Sequence, residues 1–279
     1  MGLFSDYLLI SDFDLTLTDR YDQIPAANRA AVETWMAEGG AYTVATGRSL
    51  KMAWSRLRDF PRNAPLITFN GAACSEPTTG ELYWAQAISP QYKALLRPLL
   101  IQYPRLRLEL QSMTCHYVFN EDPRRDQYLR SQEVPFTHRP LDDIDEDILK
   151  FSLSDPSDPV QAKSYDSPMA AFFRELTEEL NRLGAGFCEA VNSRPNAVEV
   201  QSNLCSKGKS ARALADRLGR KYLVTVGDSA NDRSMLLEAD FGFCTGECDP
   251  ELPALGIPQV EPCGEGSVAG AIRRMMERK

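Results

Sequence analysis

The sequence predicts an α/β fold in which a parallel sheet covered by helices is interrupted by an inserted α+β domain. Three observations carry this. Strand and helix patterns alternate at both ends of the chain, strands follow one another directly in the middle, and the predicted strand ends carry acids, hydroxyls and glycines where a parallel sheet gathers its functional groups.

The apolar run Tyr7–Ile10 reads as a buried first strand. A helix is expected over Pro25–Glu38, because proline suits the first helical turn and Gly39-Gly40 stops it. Ala41–Ala45 and Pro65–Phe69 are the next strands, with a helix over Ser49–Phe60 between them. The rhythm then changes. From Ala85 to Ser202 the pattern gives a helix, strands at Leu106–Leu110 and Cys115–Phe119, a helix, a strand at Ile148–Leu153 and a helix at Met169–Leu183. Strands at Phe187–Val191 and Ala197–Gln201 then flank a hairpin turn at Ser193-Arg-Pro-Asn196. Asp155–Pro168, rich in Pro, Ser and Asp, reads as an exposed loop. Alternation resumes with a helix at Lys207–Leu218, a very apolar strand at Tyr222–Val226, a helix at Asn231–Glu238, a short strand at Phe241–Phe243 and a last helix from Ser267 to about Arg278. Residues 1–84 and 203–279 are therefore expected to form one Rossmann-like core, and residues 85–202 the inserted domain.

Hydrophobic residues make up 43% of the 279, enough for a substantial core. A net charge of −8 and a pI near 5.0 argue against a general nucleic-acid or anionic-membrane surface, while leaving room for a local phosphate pocket. No apolar run reaches the roughly 18 residues of a membrane helix, and the N-terminus lacks the basic start and apolar core of a signal peptide, so a cytoplasmic protein is expected. No obligate protein partner is evident. Seven cysteines, an odd number scattered over strands and loops, suit reduced thiols better than a disulfide framework. Cys244 and Cys248 are spaced almost like metal ligands, but no histidine lies near them.

The first strand runs into Ser11-Asp12-Phe13-Asp14-Leu15-Thr16. Two carboxylates two residues apart at a strand end can divide phosphoryl chemistry: one attacks phosphorus, its neighbour handles the proton, and Mg²⁺ screens the anionic substrate. An ordinary acidic turn would look similar, so the rest of the chain must decide. After the second strand comes Thr46-Gly47-Arg48-Ser49: a hydroxyl, a glycine for close approach and a helix start that favours an anion. Ser206-Lys207-Gly208 puts a lysine at a helix N-terminus, where the macrodipole disfavours a cation but a phosphate site could require one. Thr225-Val-Gly227-Asp228-Ser229-Ala230-Asn231-Asp232 follows the most apolar strand with acids at both ends of a turn, which suits carboxylate ligation of Mg²⁺. Two decoys are set aside. Asn203–Ser210 is one glycine short of a nucleotide-binding loop and follows a hairpin, and Gly264-Glu-Gly266-Ser-Val-Ala269 lies too near the C-terminus for a dinucleotide unit. His116 and His138 are expected to be surface or strand residues.

With Asn70-Gly71-Ala72 added, these motifs in this order resemble the haloacid dehalogenase-like phosphatases, and within them the Cof-type subfamily with a large cap inserted after the second motif. The resemblance covers nearly the whole chain. It implies Asp12 as nucleophile and metal ligand, and Asp14 as general acid/base whose backbone carbonyl also reaches Mg²⁺. Thr16, Thr46 and Gly47 would bind the phosphoryl group together with Lys207 and Asn231, Asp228 would ligate Mg²⁺, and Asp232 would hold the lysine and metal-bound waters in place. Arg48, Asn70, Gly71 and Arg194 are candidates to touch the substrate, a small phosphorylated metabolite, with sugar phosphates the leading class; Asn196 and Arg139 are further polar residues of the inserted domain. Leu15 stands where the subfamily most often has glycine, and Cys244-Thr-Gly-Glu-Cys248 replaces its usual Gly-Asn-Ala. Two other readings share the motifs: a phosphomannomutase-like isomerase that returns the phosphoryl group to a sugar, and a phosphometabolite sensor without turnover, against which the presence of both Asp12 and Asp14 speaks.

Overall fold

A computed structural model describes residues 2–157 and 166–278, so that residues 158–165 of the expected Asp155–Pro168 loop lie outside the described residues. In chain order the elements are β1 (Tyr7–Ser11), α1 (Ala26–Ala37), β2 (Ala41–Val44), α2 (Leu50–Leu57), β3 (Leu66–Thr68), β4 (Ala73–Glu76) and β5 (Glu81–Ala85). Then come α3 (Tyr92–Gln102), β6 (Arg107–Gln111), β7 (His116–Phe119), α4 (Pro123–Ser131), β8 (Phe136–Thr137), β9 (Lys150–Ser154), α5 (Pro168–Leu183), β10 (Cys188–Arg194) and β11 (Ala197–Ser202). The chain closes with α6 (Lys207–Arg217), β12 (Tyr222–Gly227), α7 (Arg233–Glu238), β13 (Phe241–Cys244), α8 (Glu251–Ala254) and α9 (Ser267–Met276). They fall into two compact units: Met1–Arg48, Arg56–Trp84 and Ser206–Lys279 in one, Ser49–Ser55 and Ala85–Cys205 in the other. No described helix is long and apolar enough to cross a membrane.

In the first unit β13, β12, β1 and β2 form a parallel sheet in that order. Every residue of β1 is buried, as expected of a parallel strand covered on both faces. Leu8 and Ile10 pack with Leu214, Leu223 and Met235 in the apolar core. The register sets Ser11 opposite both Val226 and Val44, so the residues that follow β1, β2 and β12 leave the sheet along one edge. Gly39, at φ +86°, ends α1 in the left-handed conformation glycine adopts freely, and a side chain at Gly40 would strike the Trp35 ring.

The hairpin of β4 and β5, which extends β3 into a three-stranded sheet, was not anticipated. Its strands are short and without clear alternation, and the signal available was the turn Pro77-Thr-Thr-Gly80, with Gly80 at φ +75°. The helix expected from Asn231 begins instead as a 3₁₀ turn over Ala230–Asp232 and becomes α-helical at Arg233.

The second unit is a six-stranded sheet in the order β10, β11, β9, β6, β7, β8, antiparallel except for the β7–β8 pair. Alternation divides its faces. Leu108, Leu110, Phe151, Leu153, Val198 and Val200 pack against α3 and α5 through Leu96, Leu99, Phe173 and Leu180. The intervening Glu109, Lys150 and Glu199 are also buried and are ion-paired, Glu109 to Arg125 at 2.9 Å and Lys150 to Glu199 at 2.7 Å.

Candidate active site

Asp12, the first residue beyond β1, is held by its own N–H, which donates to the Val226 carbonyl at 2.8 Å. The chain then makes one turn over Phe13–Leu17 in which Leu15 sits at φ 56°. That left-handed geometry accounts for the glycine preference of the resembled subfamily and costs a leucine about 1–2 kcal/mol.

Three buried carboxylates meet here. Asp12, Asp228 and Asp232 each offer an oxygen within 4.8 Å of the others. Lys207, its side chain fully buried at the start of α6, donates to Asp12 Oδ1 and to Asp232 Oδ1, both at 2.6 Å. This explains a cation at an unfavourable helix end: two carboxylates outweigh the macrodipole. Ser206 caps α6 by accepting from the Lys209 N–H at 3.2 Å, and a side chain at Gly208 would collide with the Ser234 carbonyl, so the lysine rides on a helix packed tightly against α7.

Asp232 is more than a helper of the lysine. Its Oδ2 accepts from the N–H groups of Asp228 at 3.0 Å and Ser229 at 3.1 Å, fixing the Asp228 turn, while Oδ1 takes Lys207. Ser229 and Asp232 form a capping box, which Ser-x-x-Asp signals in the sequence and which the sequence reading missed. Thr16 Oγ1 donates to Asp228 Oδ1 at 2.8 Å.

Burial pushes the Asp12 carboxyl up to about 7 against the pull of Lys207, and the charges of Asp232 and Asp14 add to the rise. Burial also raises Asp228 well above the usual carboxylate range, with Asp12 and Asp232 adding to the rise. Burial opposes the charge on Lys207 as well, but Asp12 and Asp232 outweigh it and hold the ammonium charged. A cluster of hard oxygen donors whose negative charge is under-compensated suits a small divalent cation such as Mg²⁺.

The remaining sequence candidates divide. Thr46 is buried beyond β2, its hydroxyl accepting from the Arg48 N–H at 3.1 Å, and Gly47 lies between them. Asn70, left-handed at φ 56°, accepts from Asn231 Nδ2 at 3.3 Å. Gly71, at φ +97°, approaches Ser206 so closely that no side chain would fit, and its carbonyl accepts from Ser210 at 2.7 Å. Asp14 stands apart from the three carboxylates. Its half-exposed side chain is gripped in two places by Arg48, Nε to Oδ2 at 2.9 Å and a terminal nitrogen to Oδ1 at 2.6 Å, while the guanidinium lies over the Phe13 ring. Asp22 contacts the same guanidinium at 3.4 Å and Arg56 at 3.1 Å. Neither Asp22 nor Arg56 was singled out from sequence, where nothing local marks them. Arg194 is exposed at the end of β10, and Asn196 and Arg139 also belong to the second unit.

The chain is similar in sequence to curated phosphatases and in fold to solved haloacid dehalogenase-like hydrolases. An HMP-PP phosphatase of Cronobacter sakazakii is 26% identical over 269 residues, covering 92% of this chain and 91% of its own length. A putative phosphatase of Bacillus subtilis, YxeH, is 23% identical over 98% of this chain and 99% of its own. The solved structure of a sugar phosphatase of haloacid dehalogenase subclass IIB, BT4131, superposes with a TM-score of 0.78 at 20% identity, over 97% of this chain and 99% of its own. The sequence model for haloacid dehalogenase-like hydrolases matches residues 9–257, from within β1 to beyond α8. A match of that extent makes the chain a member of the haloacid dehalogenase-like hydrolase family, of its Cof-type branch.

Proposed function

We propose that the protein is a Mg²⁺-dependent phosphomonoester hydrolase that releases phosphate from small phosphorylated metabolites, sugar phosphates foremost, through an aspartyl-phosphate at Asp12. The observation that carries this is the buried trio Asp12, Asp228 and Asp232 sharing one lysine ammonium. Asp12 and Asp228, with the backbone carbonyl of Asp14, would hold the ion. When bound, Mg²⁺ supplies positive charge that lets an anionic nucleophile approach an anionic phosphoryl group.

Asp12 attacks phosphorus while Thr16, Thr46, Gly47, Asn231 and Lys207 hold the phosphoryl oxygens. Most of the catalysis is positioning and electrostatics. Asp14 gives its proton to the leaving oxygen and later takes one from the water that opens the aspartyl-phosphate. With both carboxylate oxygens on Arg48, Asp14 must leave that grip to act, which gives Arg48 a part in positioning the acid/base. Asn70, Gly71 and Arg194 remain candidates for contact with the substrate. The leaving group is selected by the residues 85–202 cap, because the core motifs see little beyond the phosphoryl group. The described cysteines are free thiols, in keeping with a reducing compartment such as the cytoplasm.

A screen of phosphorylated metabolites with and without Mg²⁺ tests the reading. Phosphate release that requires the ion is expected, with sugar monophosphates among the best substrates. A rearranged sugar phosphate without free phosphate would instead establish the isomerase reading, and binding without turnover the sensor.

Stability gives a second test. The carboxyl of Asp12 is raised from 3.8 to about 7, so the folded state favours its protonated form: its contribution to stability is fully present below about pH 4 and is lost as pH rises through about 7. Asp228 is shifted the same way. The increase in melting temperature on adding Mg²⁺ is therefore expected to be small near pH 5 and much larger near pH 8. Thermal melts across that range check it, and a pH-independent increment would contradict the assignment of the ion to these carboxylates.

A further inference from the structure

We infer that Asp22 is a positioning residue for the acid/base: it takes over Arg48 each time Asp14 leaves that arginine to move a proton. The inference rests on the role proposed above for Asp14. Arg48 is the shared element. One terminal nitrogen of its guanidinium donates to Asp14 Oδ1 at 2.6 Å and reaches Asp22 Oδ1 at 3.4 Å, so two carboxylates already stand at the same nitrogen. Its Nε holds the other Asp14 oxygen at 2.9 Å, and the guanidinium carbon lies 4.6 Å from the centre of the Phe13 ring.

Exposure separates the three groups. The Arg48 side chain is 10% exposed, against 54% for Asp14 and 37% for Asp22. Water can receive the Asp14 carboxylate when it swings away, but the arginine stays largely buried and its charge still needs an opposite charge beside it. Asp22 supplies one without having to travel far. As Asp14 departs, the nitrogen it releases closes on Asp22 Oδ1, and the guanidinium passes from one carboxylate to the other. The exchange lowers the cost of freeing Asp14 and reverses when Asp14 returns.

Asp22 is held for this task on several sides. It sits at φ 60°, the left-handed conformation that a residue with a side chain adopts only at a cost. Asp19 maintains that turn: its Oδ1 accepts from the N–H groups of Tyr21 at 2.8 Å and Gln23 at 2.9 Å, and its carbonyl accepts from the Asp22 N–H at 3.1 Å. Arg56 adds two contacts, one nitrogen 3.1 Å from Asp22 Oδ2 and another donating to the Asp22 carbonyl. Oδ2 is thus occupied by Arg56, and Oδ1 is the oxygen presented to Arg48. A strained backbone secured in this way, with one carboxylate oxygen for each arginine, marks a position that function requires.

The test has two arms, both on the full-length protein. Asparagine tolerates the left-handed backbone, so Asp22→Asn removes the charge and keeps the turn. Its kcat for Mg²⁺-dependent phosphate release is expected to fall severalfold with KM nearly unchanged, and in an Arg48→Gln background the same substitution should change nothing further. With p-nitrophenyl phosphate, whose leaving group needs no proton, the first turnover should keep its wild-type rate while later turnovers slow, because opening of the aspartyl-phosphate still calls on Asp14. A wild-type kcat, a loss confined to KM, an undiminished effect without Arg48, or equal slowing of the first turnover would each overturn the proposal. The second arm needs no activity. Melting temperatures of the wild type, Asp14→Asn, Asp22→Asn and the double variant close a cycle, in which Asp14→Asn imitates the departure of the Asp14 charge. The double variant is expected to lose more than the sum of the single losses, since each carboxylate covers for the other on Arg48. Losses that simply add would overturn the proposal. Should no phosphorylated metabolite be hydrolysed, the phosphatase reading fails, and this cycle by itself decides whether Asp22 stands in for Asp14.

Discussion

Asp12→Asn is expected to abolish phosphate release while leaving the protein folded and, without metal, at least as stable as the wild type. The amide is a poor nucleophile and cannot form the aspartyl-phosphate, so the covalent route is closed at its first step. Stability moves the other way because burial already disfavours charge at this position: a neutral group of the same shape relieves crowding with Asp228 and Asp232, and Lys207 keeps Asp232 as its partner. Turnover and thermal melts of the purified, metal-free variant check both halves. Activity above a trace would rule out Asp12 as the nucleophile, and a large drop in melting temperature would show that its charge holds the fold together.

Lys207→Met should damage activity and stability together. Methionine matches the length of the buried stem but leaves Asp12 and Asp232 facing each other without the ammonium that each contacts at 2.6 Å. Removing one partner of a buried ionic cluster typically costs about 3–5 kcal/mol. Losing a preorganised positive group at the developing phosphoryl charge typically costs about 10²–10³ in rate. Mg²⁺ should recover part of the stability and little of the activity, since it restores charge among the carboxylates but not the hold proposed for the lysine on the phosphoryl oxygens. Denaturant unfolding and kinetics with saturating Mg²⁺ test this. A variant as stable as wild type without metal would mean the carboxylates are not held together by Lys207.

The core motifs were legible because their chemistry is local. An apolar strand followed by acid-x-acid, or a lysine at a helix start, is a pattern that short-range physics makes unusual, and the Asp12, Lys207 and Asp228 neighbourhoods could be named before their meeting was seen. Side-chain reach was not legible. Thr46-Gly47-Arg48 places an arginine near a strand end, but its grip on Asp14, 34 residues away in sequence, depends on how two loops leave one sheet edge. Asp232 shows the same limit: its motif was visible, whereas the division of its two oxygens between backbone N–H groups and Lys207 required the fold. The β4–β5 hairpin was missed because its strands are too short for periodicity to register, and Leu15 looked like a loss until its left-handed backbone showed why a glycine would serve there.

The pairing of β1 with β12 joins Tyr7 to Tyr222, residues 215 positions apart by subtraction. On the ribosome, at about 5–20 residues per second, β1 waits on the order of 10–40 s for that neighbour to be made. During the wait a strand apolar on both faces has β2 on one side and an unsatisfied edge on the other, while the unit containing Ala85–Cys205 can assemble from a nearly contiguous stretch. Biogenesis of this protein is thus a problem of protecting β1 until β12 is made, and Asp12, Lys207 and Asp228 come together only after β12 has emerged. Nascent chains halted before β12 should be the species most dependent on chaperones.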